Sequence, residues 1–94
     1  MASTQHDSQL PAADAVLEMY TEGTSEPAVC ASLTPMIKSR LREMEGGQVL
    51  EVRVDDPSAR LDVPSWSRLA GHALLATVEE DDRRTRFYLR KRMG

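Results

Sequence analysis

The chain predicts an α+β fold, an α/β two-layer sandwich of element order β-α-β-α-β-β, with two helices packed on one face of a four-stranded mixed sheet. Three observations carry that prediction. Apolar residues recur at spacings of three and four after Leu33, the stretch "QVLEVRVDD" alternates with period two, and two further apolar segments flank the polar turn "DDRR". Each helix has a single apolar stripe to bury, so one sheet face covered by both helices is the economical layering.

The elements follow in order. Residues 1–14 are polar and small with Pro11 among them, the composition of a flexible N-terminal segment, and residues 15–92 form one domain. Ala15 to Tyr20 reads as the first strand, and "TEGTSEPAV" as a loop. Leu33, Met36, Ile37, Leu41 and Met44 fall on one helical face, with Ser32 or Thr34 as N-cap and Pro35 in the first turn. Gly46 and Gly47 end that helix. Leu50, Val52 and Val54 form the buried side of the next strand, which Asp55, Asp56 and Pro57 stop while offering a cap for a second helical region. Pro64 interrupts that region, so a short turn and then a helix are expected, with Val63, Trp66 and Leu69 inward and Gly71 as C-cap. "HALLATVEE" and "TRFYLRK" then make a hairpin, with Phe87 and Leu89 inward and the cations outward on an edge strand.

Bulk properties narrow the function. Ninety-four residues with one cysteine exclude an internal disulfide framework and suit a reducing cytoplasm. The N-terminus lacks the basic and apolar regions of a secretory signal, and no apolar run is long enough to span a bilayer, so no membrane role is expected. A net charge of −3 argues against general nucleic-acid binding. The cations Arg84, Arg86, Arg90 and Arg92, interleaved with Phe87 and Tyr88, form a candidate partner surface, for an acidic protein or, as a weaker alternative, for RNA. Asp55 and Asp56 precede Pro57, where capping explains them better than acid/base work. His72 has no ligand at metal spacing, so no metal site and no organic cofactor are expected. Trp66 lies on the inward stripe and reads as core.

Cys30 is the one residue suited to covalent chemistry. A helix start supplies free N–H groups and partial positive charge, which favour a thiolate by about 0.3–1 kcal/mol, less than about one pKa unit. Free cysteine is also among the most buried residue types, and Ala28, Val29, Ala31 and Leu33 around it are small or apolar, so composition alone favours a packing role.

From about Val16 to Lys91 the chain resembles the TusA-like (SirA-like) sulfur carriers. The motifs carrying the likeness are Gly47, Asp55-Asp56-Pro57, Asp62-Val63-Pro64, Trp66 and Gly71-His72. The resemblance implies a two-layer sandwich like the C-terminal domain of a translation initiation factor. It also implies a sulfurtransferase-type carrier whose cysteine, at the position of Cys30, takes sulfane sulfur as a persulfide. The partners would be a protein donor of cysteine desulfurase or rhodanese type and a protein acceptor. Family members show C-P-x-P where this chain reads Cys30-Ala31-Ser32-Leu33, and Ser67 stands where some carry a second cysteine. In place of the prolines, Ser32 and Thr34 offer hydroxyls at the helix start, with Pro35 just beyond. The departures leave two alternatives: a non-catalytic binding or regulatory module of the same fold, and, more weakly, an RNA-contacting accessory protein.

Overall fold

A sheet covered on one face needs strands with one buried and one open side, and the computed structural model is built that way. It describes residues 10–20 and 29–93, with side chains from Leu33 onward in the first helix. The elements are β1 (Ala15–Met19), α1 (Val29–Arg42), β2 (Val49–Val54), α2 (Ala59–Ala70), β3 (Ala73–Glu79) and β4 (Thr85–Arg90). The expected flexible lead-in falls largely on residues 1–9 and the expected loop on 21–28, both outside the described residues.

The sheet order is β1-β2-β4-β3. β1 runs parallel to β2 with Leu17 opposite Val52; β4 runs antiparallel to both β2 and β3, with Phe87 opposite Val52 and Thr77. β4 is therefore a central strand, which corrects the expectation that its cations lie on an edge. The hairpin only fixes β4 beside β3, whereas insertion beside β2 is a tertiary choice that places Phe87 and Leu89 at the middle of the core. The true edges are modified against further pairing: Arg40 Nη1 donates to Val16 O at 3.1 Å, and β3 has a register shift between Leu74 and Ala76.

One core holds the layers together. Leu33, Ile37 and Leu41 of α1 and Ala59 and Val63 of α2 pack on Leu17, Leu50, Val52, Val54, Phe87 and Leu89. Each helix buries positions i, i+4 and i+8, which lie within one stripe at about 100° per residue. Met36 falls outside the α1 stripe and is 44% exposed. Because α1 ends at Arg42, Met44 packs on the core from beyond the helix, and Gly46 and Gly47, expected to end it, do not.

In α2 the buried stripe is Ala59, Val63 and Ser67, with Trp66 packed beside it. Leu69, expected inward, is 88% exposed, because position i+6 lies about 120° around the helix from Val63. The expected break at Pro64 is also absent. α2 is continuous with Pro64 inside it, so the Arg60 carbonyl forgoes its donor, and the Pro64 carbonyl accepts from Ser67 Oγ at 2.9 Å. The helix starts through three i to i+3 bonds, from Ala59 N to Asp56 O, Arg60 N to Pro57 O and Leu61 N to Ser58 O. Asp56 Oδ1 accepts from Ser58 N at 3.0 Å and Ser58 Oγ at 2.8 Å, an Asx turn just ahead of the helix, whose N-cap Ser58 makes no side-chain cap bond.

α1 differs most from expectation. It begins at Val29, so Ser32 and Thr34 lie inside the helix and cannot be its N-cap, and Pro35 is interior rather than in the first turn. The proline fits its backbone angles but has no N–H to offer the Ala31 carbonyl. The turn before Pro35 is therefore held less by its own ladder than the turns after it.

Candidate functional site

α1 positions Cys30. Near the end of α1 Arg40 reaches Val16 near the start of β1, so the helix runs back along the strand and its first turn lies toward the end where β1 and β2 finish. Cys30 is the second helical residue, within the turn whose N–H groups have no carbonyl four residues back. No acidic residue stands in that first turn, so nothing in it competes with a thiolate for the helix's positive end. The expectation that the sulfur lies beside those N–H groups concerns a side chain outside the described residues.

The sheet end toward which this turn points is built from the β3–β4 hairpin and the start of α2. Asp81 Oδ1 accepts from the backbone N–H groups of Arg83 and Arg84 at 2.8 and 2.7 Å, which closes the turn and holds the Asp81 carboxyl below its usual range. Arg60 donates to Thr85 Oγ1 at 2.8 Å and to the Asp81 carbonyl, and lies 3.7 Å from Glu79. The Arg84 guanidinium sits 4.9 Å from the Tyr20 ring centre. Asp55 is fully buried.

The motif residues divide between the two ends of the sheet. Asp55, Asp56 and Pro57 lie at the strand ends already described, and Asp62 is exposed in the first turn of α2. Gly47, Gly71 and His72 lie at the opposite end. Gly47 has φ +91° and donates to Lys91 O at 2.8 Å, and a Cβ there would meet Met93 Sδ at 3.1 Å. Gly71, at φ +83°, caps α2, and the next residue's N–H returns to Ser67 O at 2.9 Å. His72 Nδ1 accepts from Arg92 N at 3.0 Å, and its ring packs 5.5 Å from Trp66. Burial, then the Arg92 and Lys91 charges, push the His72 pKa down. These residues shape turns and join elements.

The four candidate cations are likewise dispersed. Arg84 is over Tyr20, Arg86 is 3.1 Å from Glu80, Arg90 is exposed, and Arg92 is beside His72. Sequence reasoning did not join Lys38 and Arg42 to Lys91 and Arg92 of the C-terminal basic stretch, with which they gather around His72. Their only sequence signal was the i, i+4 spacing of Lys38 and Arg42, indistinguishable there from a solvated helix face. Among the described residues no group of three His, Cys, Asp or Glu is placed to hold a metal ion, and no helix is long and apolar enough to cross a membrane.

Two helices on one face of a mixed sheet, with a lone cysteine opening the first helix, define a small α+β protein with one candidate nucleophile. A family model described as sulfurtransferase TusA matches residues 28–91, and the chain belongs to that family. It is 42% identical over 45 residues to the "Putative sulfur carrier protein YrkI" of Bacillus subtilis (strain 168), covering 48% of this chain and 60% of the relative. Two proteins named "Putative sulfur carrier protein" are also similar. That of Aquifex aeolicus is 39% identical over 62 residues, covering 66% of this chain and 31% of its own length. That of Archaeoglobus fulgidus is 42% identical over 50 residues, covering 53% and 67%.

Proposed function

We propose that the protein is a sulfur carrier of the cytoplasm that holds sulfane sulfur as a persulfide on Cys30. The observation that carries this reading is the placement of the chain's single cysteine in the first turn of α1, inside the span matched by the TusA family. The names of the similar proteins support it. In the transfer, the Cys30 thiolate attacks the outer sulfur of a donor persulfide. The new S–S bond forms at Cys30 as the donor's S–S bond breaks, and the donor leaves as a thiolate with the electron pair. No net oxidation occurs. In the second transfer an acceptor nucleophile attacks the outer sulfur of the Cys30 persulfide; its bond to that sulfur forms as the Cys30 S–S bond breaks, and Cys30 leaves as a thiolate with the electron pair. A helix end without a fixed cation on the thiol lowers a thiol pKa only modestly, which suits exchange chemistry because nucleophilicity falls as the thiol becomes more acidic. The donor is a protein of cysteine desulfurase or rhodanese type, and the acceptor is a second protein.

Intact mass measurement after incubation with a persulfide donor tests this. The protein should gain about 32 Da, one sulfur atom, which a reductant removes, and Cys30→Ser should gain nothing while keeping its circular dichroism spectrum. The Cys30-Ala31-Ser32-Leu33 sequence, without the family's prolines, favours one second reading, a binding module that has lost relay. Absence of the mass gain, with a C-P-x-P relative gaining it alongside, would decide for that module.

A further inference from the structure

At the end of the molecule opposite Cys30, α1, α2, the start of β3 and the segment after β4 meet around His72. A depression of about 340 Å³ is lined by Lys38, Trp66, Leu69, Ala70, His72 and Arg92. An adjoining one of about 260 Å³ shares Lys38, His72 and Arg92 and adds Arg42 and Lys91. A third reaches His72 from the side of Arg68. The charged groups around His72 are thus Lys38 and Arg42 from α1, Arg68 from α2, and Lys91 and Arg92 after β4. No carboxylate lines any of the three, in a chain with 15 acidic and 12 basic residues.

Helix ends account for part of this charge. Arg42 and Arg68 stand in the last turns of their helices, and Lys91 Nζ donates to the Met44 carbonyl. They do not account for Lys38, in the middle of α1, or for Arg92, which lies along Gly71 with Cδ 3.5 Å from where a Cβ would stand. Among the described residues, Arg53, Arg60 and Arg86 each lie within 4 Å of a carboxylate, whereas Lys38 and Arg92 have no such partner. Cations gathered without counter-charge repel one another, and an anion among them relieves that repulsion. Arg92 offers a planar fork suited to an oxyanion, and Lys38 a point charge. Because His72 Nδ1 accepts the Arg92 N–H, its neutral ring carries the proton on Nε2, a further donor.

We propose that this depression binds a multiply charged oxyanion of the phosphate class, held by Lys38, Arg92 and His72 against the Trp66 wall. The oxyanion is either a free ion or the phosphate of an ester, and the two share this chemistry. The site uses no residue of the α1 first turn, so it stands independently of the sulfur-carrier reading and is testable in the Cys30→Ser protein.

Trp66 is the only tryptophan of the chain, so its fluorescence reports on the depression alone. Titration with inorganic phosphate at constant ionic strength, balanced with sodium chloride, should give a saturating change that chloride does not. A parallel NMR titration should move the His72 ring signals and raise its pKa, which keeps the test decisive if the indole is silent. Lys38→Ala and Arg92→Ala should each weaken binding about tenfold or more, the effect of losing one charge-assisted hydrogen bond, and Arg83→Ala in the distant hairpin should not. Tighter binding of a mononucleotide than of phosphate or glycerol phosphate assigns an ester stacked on Trp66, and equal binding assigns the free ion. A response that tracks ionic strength alone, or that survives both substitutions, overturns the proposal.

Discussion

The open face of the sheet and the basic end around His72 treat charge in opposite ways. On the open face Glu18, Glu51, Arg53, Arg86 and Tyr88 sit side by side across β1, β2 and β4, with both signs of charge intermixed. Arg53 bonds Glu51 through Nε and lies 3.6 Å from Glu18, and Arg86 Nη1 donates to the Tyr88 hydroxyl at 2.8 Å. Tyr88 also hydrogen-bonds Glu51, and burial first, then the Glu51 charge, pushes its pKa up. With no helix above them, Glu51 and Tyr88 are still only 7% and 3% exposed, because the arginine side chains cover them. The basic end gathers Lys38, Arg42, Arg68, Lys91 and Arg92 with no carboxylate among its lining residues. A charged group with a built-in partner contributes to the fold, whereas a set of one sign is free to act on something outside it.

The sharpest way to break that contrast is to remove the acid at the centre of the open face. Glu51→Ala leaves the Arg53 guanidinium and the buried Tyr88 hydroxyl without their shared acceptor, and should cost about 1–3 kcal/mol. Urea unfolding would show this as a lower midpoint at unchanged slope. Glu51→Gln keeps an acceptor oxygen and should lose less.

The paired and unpaired regions were not equally legible in the sequence. Element order was readable because punctuation and period agreed: Gly47, Gly71 and Asp56 each mark a turn that only such residues make, and Leu50, Val52 and Val54 alternate cleanly. The start of α1 was not, because Pro35 imitates a helix start although it stands inside the helix. Leu69 misled for a related reason, since three apolar residues at successive spacings of three drift off the stripe. The place of β4 between β2 and β3, and the gathering of Lys38, Trp66, His72 and Arg92, depend on residues far apart in the chain. No local pattern encodes them.

A smaller effect separates the regions by pH. The folded His72 pKa lies below the ordinary value of about 6.5, so the unfolded chain binds the extra proton first. Its contribution is therefore fully present above about 6.5 and is lost as pH falls through that value toward the folded one. Unfolding midpoints should decline across that window, and His72→Gln should flatten the decline there. Asp81, held below its usual range by two backbone N–H groups, acts only at more acidic pH, so the two windows are separable.

The smallest expected effect is at the basic end itself. Lys38 is exposed, Arg92 is exposed, and neither has a carboxylate partner among the described residues, so no favourable pair is lost on truncation. Lys38→Ala and Arg92→Ala should each change stability by no more than about 0.5 kcal/mol in the absence of added anion. Relief of repulsion with Lys91 and His72 pushes toward stabilisation, and loss of the Arg92 stem along Gly71 pushes the other way. The backbone bond from Arg92 N to His72 survives either change. Measured beside Glu51→Ala, these variants give a direct ratio: a cost at Arg92→Ala as large as that at Glu51→Ala would place the basic end in the same structural class as the open face. Near-neutral values would leave its charges available for a ligand.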